Sequence, residues 1–327
     1  SSFSLIISRF DIVSAEDGLT IHFYAVFTYS PIFDYQSDIP KLTELCMMLS
    51  QSLDVQRNLP LLRYPGGKQR HVGYFSHLLP IANHSIKKYI EPFFGGGSVF
   101  FYTNPGNAIL SDINRELMDL YFGIRKNPDI VWELYRRYPS NKAGYYKIRS
   151  LNIDDLHLLE RAARTLYLNR TCFKGMWRYN NNGGFNVGYG GQDRRWVINR
   201  DDLKLVAERL KNSILLCCDF EEVINSSSEG DFIYLDPPYR PGEREQLHAH
   251  YMFGVFNYAD QDRLASCLRE ATERGVQWVM TNSSHPDIIA LYEDYSMFKL
   301  TKGTGPNPGQ IISDPGEMVI FQIDEVV

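Results

Sequence analysis

The sequence predicts an α/β protein built on a doubly wound, mostly parallel β-sheet. Six short apolar runs between residues 89 and 323 each end at a turn or a polar residue, and helical segments lie between most of them. This alternation is typical of parallel strands that are joined by helices. With 327 residues, of which 44% are hydrophobic, the chain can bury a sizeable core and form about two domains.

The predicted strands are short and bounded by turn signals. They cover residues 89–90, 108–110, 214–218, 232–235, 276–280 and 318–323, and the clearest helices cover 260–274 and 287–294. In doubly wound sheets the ligand binds beyond the carboxyl ends of the strands. Those ends carry a run of glycines and the carboxylates of Asp112, Asp219 and Asp236, so we expect a binding site there.

Composition excludes several classes of protein. The chain is too hydrophobic for a disordered protein. Its five cysteines are odd in number and form no CxxC, which argues against a disulfide framework and a cysteine-rich zinc site. The apolar stretch 21–33 is too short and too mixed to span a membrane. We therefore expect a cytoplasmic protein with no metal and no membrane partner.

Three regions differ in pattern. Residues 1–60 are acidic and predict an extension of unknown role, with a strand pair over 21–33 and a helix over 40–53. Residues 61–124 and 211–327 carry the α/β pattern of the main domain. Residues 125–210 interrupt that pattern and predict an inserted helical and hairpin domain.

The inserted region is basic although the whole chain has a net charge of -5. Residues 161–215 hold eleven basic and four acidic residues, a net charge of +7, with aromatic residues interleaved. Basic and aromatic side chains together favour binding to a nucleic acid. Lys174, Arg194 and Arg195 are the expected phosphate contacts. An ordinary solvated basic face remains the alternative.

The four residues Asp236-Pro237-Pro238-Tyr239 predict a site that holds an amine on a flat base. The two prolines fix φ and remove two backbone donors, so nearby oxygens can point at one place. The Asp236 carboxylate and the Pro237 carbonyl can accept the two hydrogens of an exocyclic amine. Tyr239 can stack on the base, which is a contact worth about 1–3 kcal/mol.

Glycines 95, 96 and 97 predict a loop that lets the backbone approach a ligand closely. The loop does not match GxGxxG and lacks the lysine of a P-loop, which disfavours a dinucleotide or ATP. Asp112 ends the next strand, where a carboxylate conventionally binds ribose hydroxyls. A glycine hinge and a helix-capping Asp112 remain the alternatives. Residues 63–68 form a tight basic turn.

In this order the motifs resemble the Dam-type DNA adenine-N6 methyltransferases of the α arrangement. The resemblance covers residues 61 to 323. It rests on residues 63–68, 91–98, 110–114 and 236–239, and within the insert on 166–170, 175–180 and 184–190. Lys174 departs from the family, whose members often carry Asn there, and Gly188 stands where they carry Pro. Residues 304–317 hold no Lys or Arg, unlike the family's basic loop.

The resemblance implies a Rossmann-like methyltransferase sheet, S-adenosylmethionine as cofactor, and an adenine flipped out of double-stranded DNA as acceptor. The implied catalytic residues are Asp236, Pro237, Pro238 and Tyr239. The implied cofactor-binding residues are Tyr64, Lys68, Glu91, Phe93, Gly95, Gly96, Gly97, Asp112, Asp219, Phe220 and Asp236. The implied DNA-binding residues are Arg170, Phe173, Lys174, Met176 and Arg178, with Phe173 or Met176 as the wedge and Arg178 on a guanine.

Three other activities are weighed against this one. An RNA adenine methyltransferase would share the Asp-Pro-Pro-Tyr site but not the hairpin 174–190. A cytosine-N4 enzyme more often carries Ser in place of Asp236. A non-catalytic DNA-binding adaptor of the same fold would use residues 1–60 for a protein partner. A cognate restriction or defence partner, the target sequence and the oligomeric state do not follow from the sequence.

Overall fold

The computed structural model describes residues 7–15, 18–25, 61–63, 67–80, 86–180, 183–239, 256–300, 302–304, 311–313 and 316–323. The chain divides into two compact units, Ser1–Val55 and Gln56–Val327. In the first unit, strands β1 (Ile7–Ala15) and β2 (Gly18–Ala25) form an antiparallel hairpin. Residues 21–25 of the predicted strand pair lie in β2, whose partner is the earlier strand β1, and residues 26–33 lie outside the described residues. The predicted helix over 40–53 lies outside the described residues.

The second unit is built on a seven-stranded sheet. Its strands are β3 (Lys88–Glu91), β4 (Ala108–Ser111), β5 (Ser213–Leu216), β6 (Asp231–Leu235), β7 (Gln277–Ser283), β8 (Ser296–Lys299) and β11 (Glu317–Gln322). The order across the sheet is β5-β4-β3-β6-β7-β11-β8. β9 (Lys302–Thr304) and β10 (Ile311–Ser313) pair separately as a short hairpin.

The described helices of this unit begin mostly at Asn or Asp caps, whose side chains accept from the first free backbone N–H groups. None of the helices in these residues is long and apolar enough to cross a membrane. They are α1 (Val72–Phe75), α2 (Ser98–Thr103), α3 (Arg115–Lys126), α4 (Pro128–Arg137), α5 (Lys142–Arg149), α6 (Leu158–Thr171), α7 (Arg200–Arg209), α8 (Phe220–Asn225), α9 (Tyr258–Glu273) and α10 (Pro286–Ala290).

The predicted α/β class and the mostly parallel sheet are confirmed. Strands β5, β4, β3, β6 and β7 run parallel, whereas β11 runs antiparallel to both β7 and β8. The strand order reverses between β3 and β6, so the loops that follow these two strands flank a crevice at the carboxyl edge. The motif after β3 and the motif after β6 are thereby brought to the two sides of that crevice.

The inserted region shares its core with the sheet. One apolar cluster joins Tyr89 of β3 and Tyr121 of α3 to Tyr135, Tyr145 and Tyr167 of α4, α5 and α6. All five rings are fully buried. The insert is therefore packed directly on the main domain through aromatic side chains, and its role as a DNA-recognition domain stays a prediction.

Candidate active site and nucleic-acid interface

Asp236 leaves β6 at the crevice, and its carboxylate oxygen Oδ1 is held by two described side chains. All five residues of β6 are buried, which fixes the position of the residue that follows them. Lys68 Nζ lies 2.9 Å from Asp236 Oδ1, and Thr281 Oγ1 donates to the same oxygen at 2.9 Å. The other oxygen, Oδ2, takes part in neither contact. The Asp236 side chain is 23% exposed, so it opens toward the crevice.

The Pro-Pro turn after Asp236 is fixed by a buried amide network. Gln261 of α9 donates from Nε2 to the Pro238 carbonyl at 3.1 Å. Asn282 of β7 donates in turn to Gln261 Oε1 at 3.0 Å. Both amides are buried, so the network is rigid and places the Pro237 carbonyl and the Tyr239 ring.

Lys68 connects the turn that carries it to the Asp236 motif. It is 2% exposed, and its Nζ also lies 4.8 Å from the centroid of the Tyr239 ring. Burial alone would lower the pKa of Lys68, but the carboxylates of Asp236 and Glu317 raise it above its ordinary value. Lys68 therefore stays a cation beneath Tyr239 and compensates the charge of Asp236. Tyr64, the other residue predicted from this turn, lies outside the described residues.

The glycine loop after β3 is tied to Asp112 after β4. The Gly95 N–H donates to Asp112 Oδ2 at 3.0 Å, and the Asn114 N–H donates to Oδ1 at 2.9 Å. Burial raises the pKa of Asp112 to about 6, although these two hydrogen bonds act to lower it. Gly97 has φ +68, and a Cβ there would lie 2.6 Å from Phe101 and 2.8 Å from Phe94. The loop therefore follows the strand edge closely and admits no side chain at Gly97.

Glu91 lies beneath this loop rather than in the open crevice. It is 2% exposed and accepts a 2.7 Å hydrogen bond from the Tyr89 hydroxyl. Burial raises the pKa of Glu91 well above its ordinary range, and the nearby Asp236 adds to this effect. Gly96 in the loop above is half-buried. The predicted contacts of Glu91 and Gly96 with the cofactor stay predictions.

Phe93 and Phe220 form an aromatic wall at the same edge. Their rings lie 5.4 Å apart, and Phe256 contacts both of them edge-on. Asp219 caps α8 by accepting from the Glu221 N–H and is bound by both terminal nitrogens of Arg263, at 2.8 and 3.1 Å. Arg263 also lies 4.3 Å from the centroid of the Phe220 ring. Neither Phe256 nor Arg263 had a sequence signal that marked it as part of this wall.

The predicted residues after β3, β4, β5 and β6 are brought together by the strand order. These four strands are neighbours in the sheet, and parallel strands lie about 4.8 Å apart. The edge therefore presents, in order, Phe220, Asp112, the glycine loop with Phe93, and Asp236. Among the described residues, no group of three or more His, Cys, Asp or Glu side chains could hold a metal ion.

The recognition hairpin, as we call residues 172–190, presents three of the predicted DNA-binding residues to solvent. Backbone bridges join Cys172 to Tyr189 and Tyr179 to Phe185. Phe173 is 51% exposed and Met176 is 37% exposed. Lys174 is also exposed and has φ +53, a strained conformation for a residue with a side chain. Arg178 is half-buried and donates from Nη2 to the Asn186 carbonyl at 2.9 Å.

Part of the positive charge counted in the insert lies in its interior. Three of the eleven basic residues between 161 and 215 are buried, namely Arg164, Arg170 and Arg195. Arg170 donates from Nε to the Arg194 carbonyl at 2.8 Å. Arg195 donates to the carbonyls of Tyr135 and Tyr138 and is enclosed by aromatic rings. Arg195 therefore stabilises the insert instead of facing a ligand, and the net charge of +7 overstates the charge at the surface.

Hydrogen bonds join the recognition hairpin, and the end of α6 just before it, to the main domain. Asn169, just before the hairpin, exchanges two hydrogen bonds with the backbone of Arg63, at 2.9 and 2.8 Å. Within the hairpin, the Tyr179 hydroxyl donates to Asn114 Oδ1 at 2.9 Å. The Asn114 N–H donates to Asp112. Asn114 therefore connects the hairpin to Asp112, which the cofactor is expected to contact.

Comparisons with known proteins point to one family. The model of the D12 class of N6 adenine-specific DNA methyltransferases matches residues 64–304. A type II methyltransferase of Lactococcus lactis subsp. cremoris, M1.LlaDCHI, is 32% identical over 74% of this chain and 87% of its own length. M.MjaIII of Methanocaldococcus jannaschii is 35% identical over 74% and 90%. A DNA adenine methylase of Haemophilus influenzae is 28% identical over 81% and 94%.

Proposed function

Since the chain belongs to the D12 class of N6 adenine-specific DNA methyltransferases, we propose that it methylates a flipped adenine in double-stranded DNA with S-adenosylmethionine as donor. The observation that carries this proposal is the held carboxylate of Asp236 beside Tyr239. Lys68 and Thr281 fix one oxygen of Asp236, and the Pro-Pro turn is fixed by Gln261. This arrangement suits an amine that must be oriented while a methyl group is transferred to it.

The residues along the sheet edge fit the proposed cofactor. The Asp112 carboxylate would accept from the ribose hydroxyls, and the glycine loop that donates to it would lie beside the nucleoside. Phe93 and Phe220 would contact the flat ring of its adenine. When bound, S-adenosylmethionine supplies a methyl group on a positively charged sulfur, which is a strong electrophile.

Asp236, Pro237 and Tyr239 would act on the target base. Adenine N6 is a weak nucleophile because its lone pair is delocalised into the ring. Oδ2 of Asp236 and the Pro237 carbonyl would accept its two N–H groups and so orient the lone pair away from the ring. Tyr239 would stack on the flipped base and offset the few kcal/mol that unstacking costs. The orientation of the two partners is then the main contribution of the chain to the rate.

The function is tested by transfer of a tritiated methyl group from S-adenosylmethionine to unmethylated duplex DNA. We expect label on N6 of adenine and none on RNA of the same sequence. Label on RNA alone, or on cytosine N4, would replace the proposal with one of the two alternative methyltransferases. DNA binding without any transfer would favour the non-catalytic adaptor.

We expect cofactor binding to weaken as the pH falls through about 6. Above that value Asp112 is ionised and can accept from both ribose hydroxyls, whereas the protonated acid loses part of this acceptor capacity. Calorimetric titration with S-adenosylmethionine between about pH 5 and pH 8 measures the change. The Asp112→Asn variant should bind weakly with a smaller dependence on pH. An equal dependence in both proteins would assign the effect to another group.

The recognition hairpin would supply both the wedge and the base contact. Phe173 and Met176 are apolar and exposed at the turn, which suits insertion into the gap that a flipped base leaves. Lys174 would contact a phosphate. Arg178 would bond O6 and N7 of a guanine. Arg170 is 3% exposed, so its proposed effect on DNA is to hold the Arg194 backbone rather than to touch a base.

Arg178→Lys should relax the target sequence at one position. Lysine keeps the charge but loses the planar fork that bonds two guanine atoms, so discrimination should fall by about 1–3 kcal/mol. The matched control is Lys174→Ala, which should weaken binding to all sequences alike. It should also reduce the slope of the logarithm of the DNA-binding constant against the logarithm of salt concentration by about one unit. Sequencing of methylated adenines in randomised DNA measures both. An unchanged target motif in Arg178→Lys would remove Arg178 from recognition.

A restriction partner is a further proposal. The relatives from L. lactis and M. jannaschii are named type II methyltransferases. If this chain has the same place in a restriction–modification pair, DNA that it has methylated should resist an endonuclease of the same target sequence. Cleavage of the methylated DNA at the mapped target would argue for a solitary methyltransferase.

A further inference from the structure

Glu317 lies beside the Lys68–Asp236 pair. It is the first residue of β11, and it lies opposite Ser283 of β7 in the antiparallel register. Because β11 runs against its parallel neighbour, its first residue comes to the edge at which β7 ends. Oε2 of Glu317 lies 3.9 Å from Lys68 Nζ, and the side chain is 15% exposed. Nothing in the sequence pattern distinguished this glutamate from the other acidic residues.

Lys68 is therefore placed between two carboxylates. It lies 2.9 Å from Asp236 and 3.9 Å from Glu317, and the ring of Tyr239 covers it at 4.8 Å. A buried ammonium has three N–H donors and needs a negative partner throughout the reaction. Asp236 is the closer partner in this structure, and Glu317 is the second carboxylate that the fold brings within reach.

The proposed reaction explains why a second carboxylate, that of Glu317, is needed beside Lys68. Methyl transfer forms the bond between N6 and the methyl carbon, and the pair of electrons of the broken C–S bond stays on sulfur. N6 then carries a positive charge until one of its protons leaves, and Oδ2 of Asp236 is placed to take that proton. A protonated Asp236 no longer compensates Lys68, which is 2% exposed and cannot turn to water.

We propose that Glu317 is a positioning residue that holds the Lys68 ammonium while Asp236 accepts the amine and then its proton. The proposal rests on the proposed role of Asp236. Glu317 acts through Lys68 and does not touch the base. Burial raises the pKa of Glu317 and the carboxylate of Asp236 raises it further, whereas Lys68 opposes both. Glu317 and Lys68 therefore each stabilise the charged form of the other.

The test is a double-mutant cycle on the rate of methyl transfer in a single turnover. Glu317→Gln should lower this rate about tenfold. This is less than the 100- to 1000-fold loss that follows removal of a group that contacts the reacting atoms. Affinities for S-adenosylmethionine and for DNA should stay within about twofold of the starting protein, because neither is contacted by Glu317. In a Lys68→Met background, Glu317→Gln should change the rate by less than about twofold.

Two further variants complete the experiment. Glu317→Asp keeps the charge and should retain most of the rate. Glu208→Gln, which breaks an exposed Lys–Glu contact of 3.3 Å to Lys211, should have no effect. An unchanged rate in Glu317→Gln, or the same tenfold loss with and without Lys68, would overturn the proposal. A normal rate in an Asp236 variant would instead remove the proposed role of Asp236, so the two failures are distinguishable.

Discussion

Replacing Asp236 by Asn should lower the rate of methyl transfer by about 100- to 1000-fold and leave the fold in place. The amide has nearly the same shape as the carboxylate, but its nitrogen is a donor and carries no charge. If that nitrogen faces the target amine, two donors oppose each other. If it faces Lys68 and Thr281, two donors oppose it there. Either orientation of the amide removes one of the contacts that orient the base.

The measurement is a single-turnover assay with saturating cofactor and DNA, which separates the chemical step from binding. Asp154→Asn is the matched control, because Asp154 also lies 2.9 Å from a basic nitrogen but is 67% exposed. The control should have a normal rate. Thr281→Val should give an intermediate loss, since it removes one of the two donors on Oδ1. Near-normal turnover by Asp236→Asn would exclude this carboxylate from the mechanism.

The Asp236 turn was predictable because its chemistry is local in the sequence. An apolar strand, an aspartate, two prolines and a tyrosine follow one another without a gap. The parallel direction of most strands also follows from the alternation of strands and helices. Asp112 was predictable for the same reason, because it ends a short buried strand shortly after the glycine loop.

The residues that hold this turn were not predictable, because each reaches the site from a distant part of the chain. Gln261 lies at the end of the first turn of α9, and Thr281 lies within a buried strand. Glu317 reaches the site only because β11 enters the sheet antiparallel, and the apolar run 318–323 has no feature that sets strand direction. A single polar residue on a helix or strand has no local sequence pattern that shows whether its side chain will hold a distant turn or face solvent.

The charge of the insert is a second case in which local pattern was insufficient. Counting basic residues does not separate those that face solvent from those that are buried with partners outside the counted segment. Arg164 is paired with Glu116, which lies before residue 161, and Nη1 and Nη2 of Arg195 donate to backbone carbonyls of residues 135–139. The exposed residues of the hairpin, Phe173 and Met176, were located by the resemblance rather than by charge.

Arg164 joins three helices, and its replacement should strongly destabilise the insert. It lies on α6 and is 2% exposed. Its Nη1 lies 2.7 Å from Glu116 of α3, and its other nitrogens donate to the carbonyls of Ile148 and Arg149 at the end of α5. Glu116 belongs to the main domain, so this cluster fixes the insert on the sheet. Burial raises the pKa of Glu116, and the guanidinium of Arg164 opposes that effect.

Arg164→Met should therefore lower the free energy of unfolding by about 3–5 kcal/mol, because a buried carboxylate and two carbonyls lose their partner. Arg200→Met is the control, since Arg200 also forms an ion pair with an aspartate, at 2.6 Å, but both side chains are about half exposed. Denaturant unfolding should show a large shift of the midpoint for the first variant and almost none for the second. Adding Glu116→Leu to Arg164→Met should restore part of the loss, because the uncompensated carboxylate is then removed. Equal midpoints for Arg164→Met and the starting protein would show that the aromatic core alone fixes the insert on the sheet.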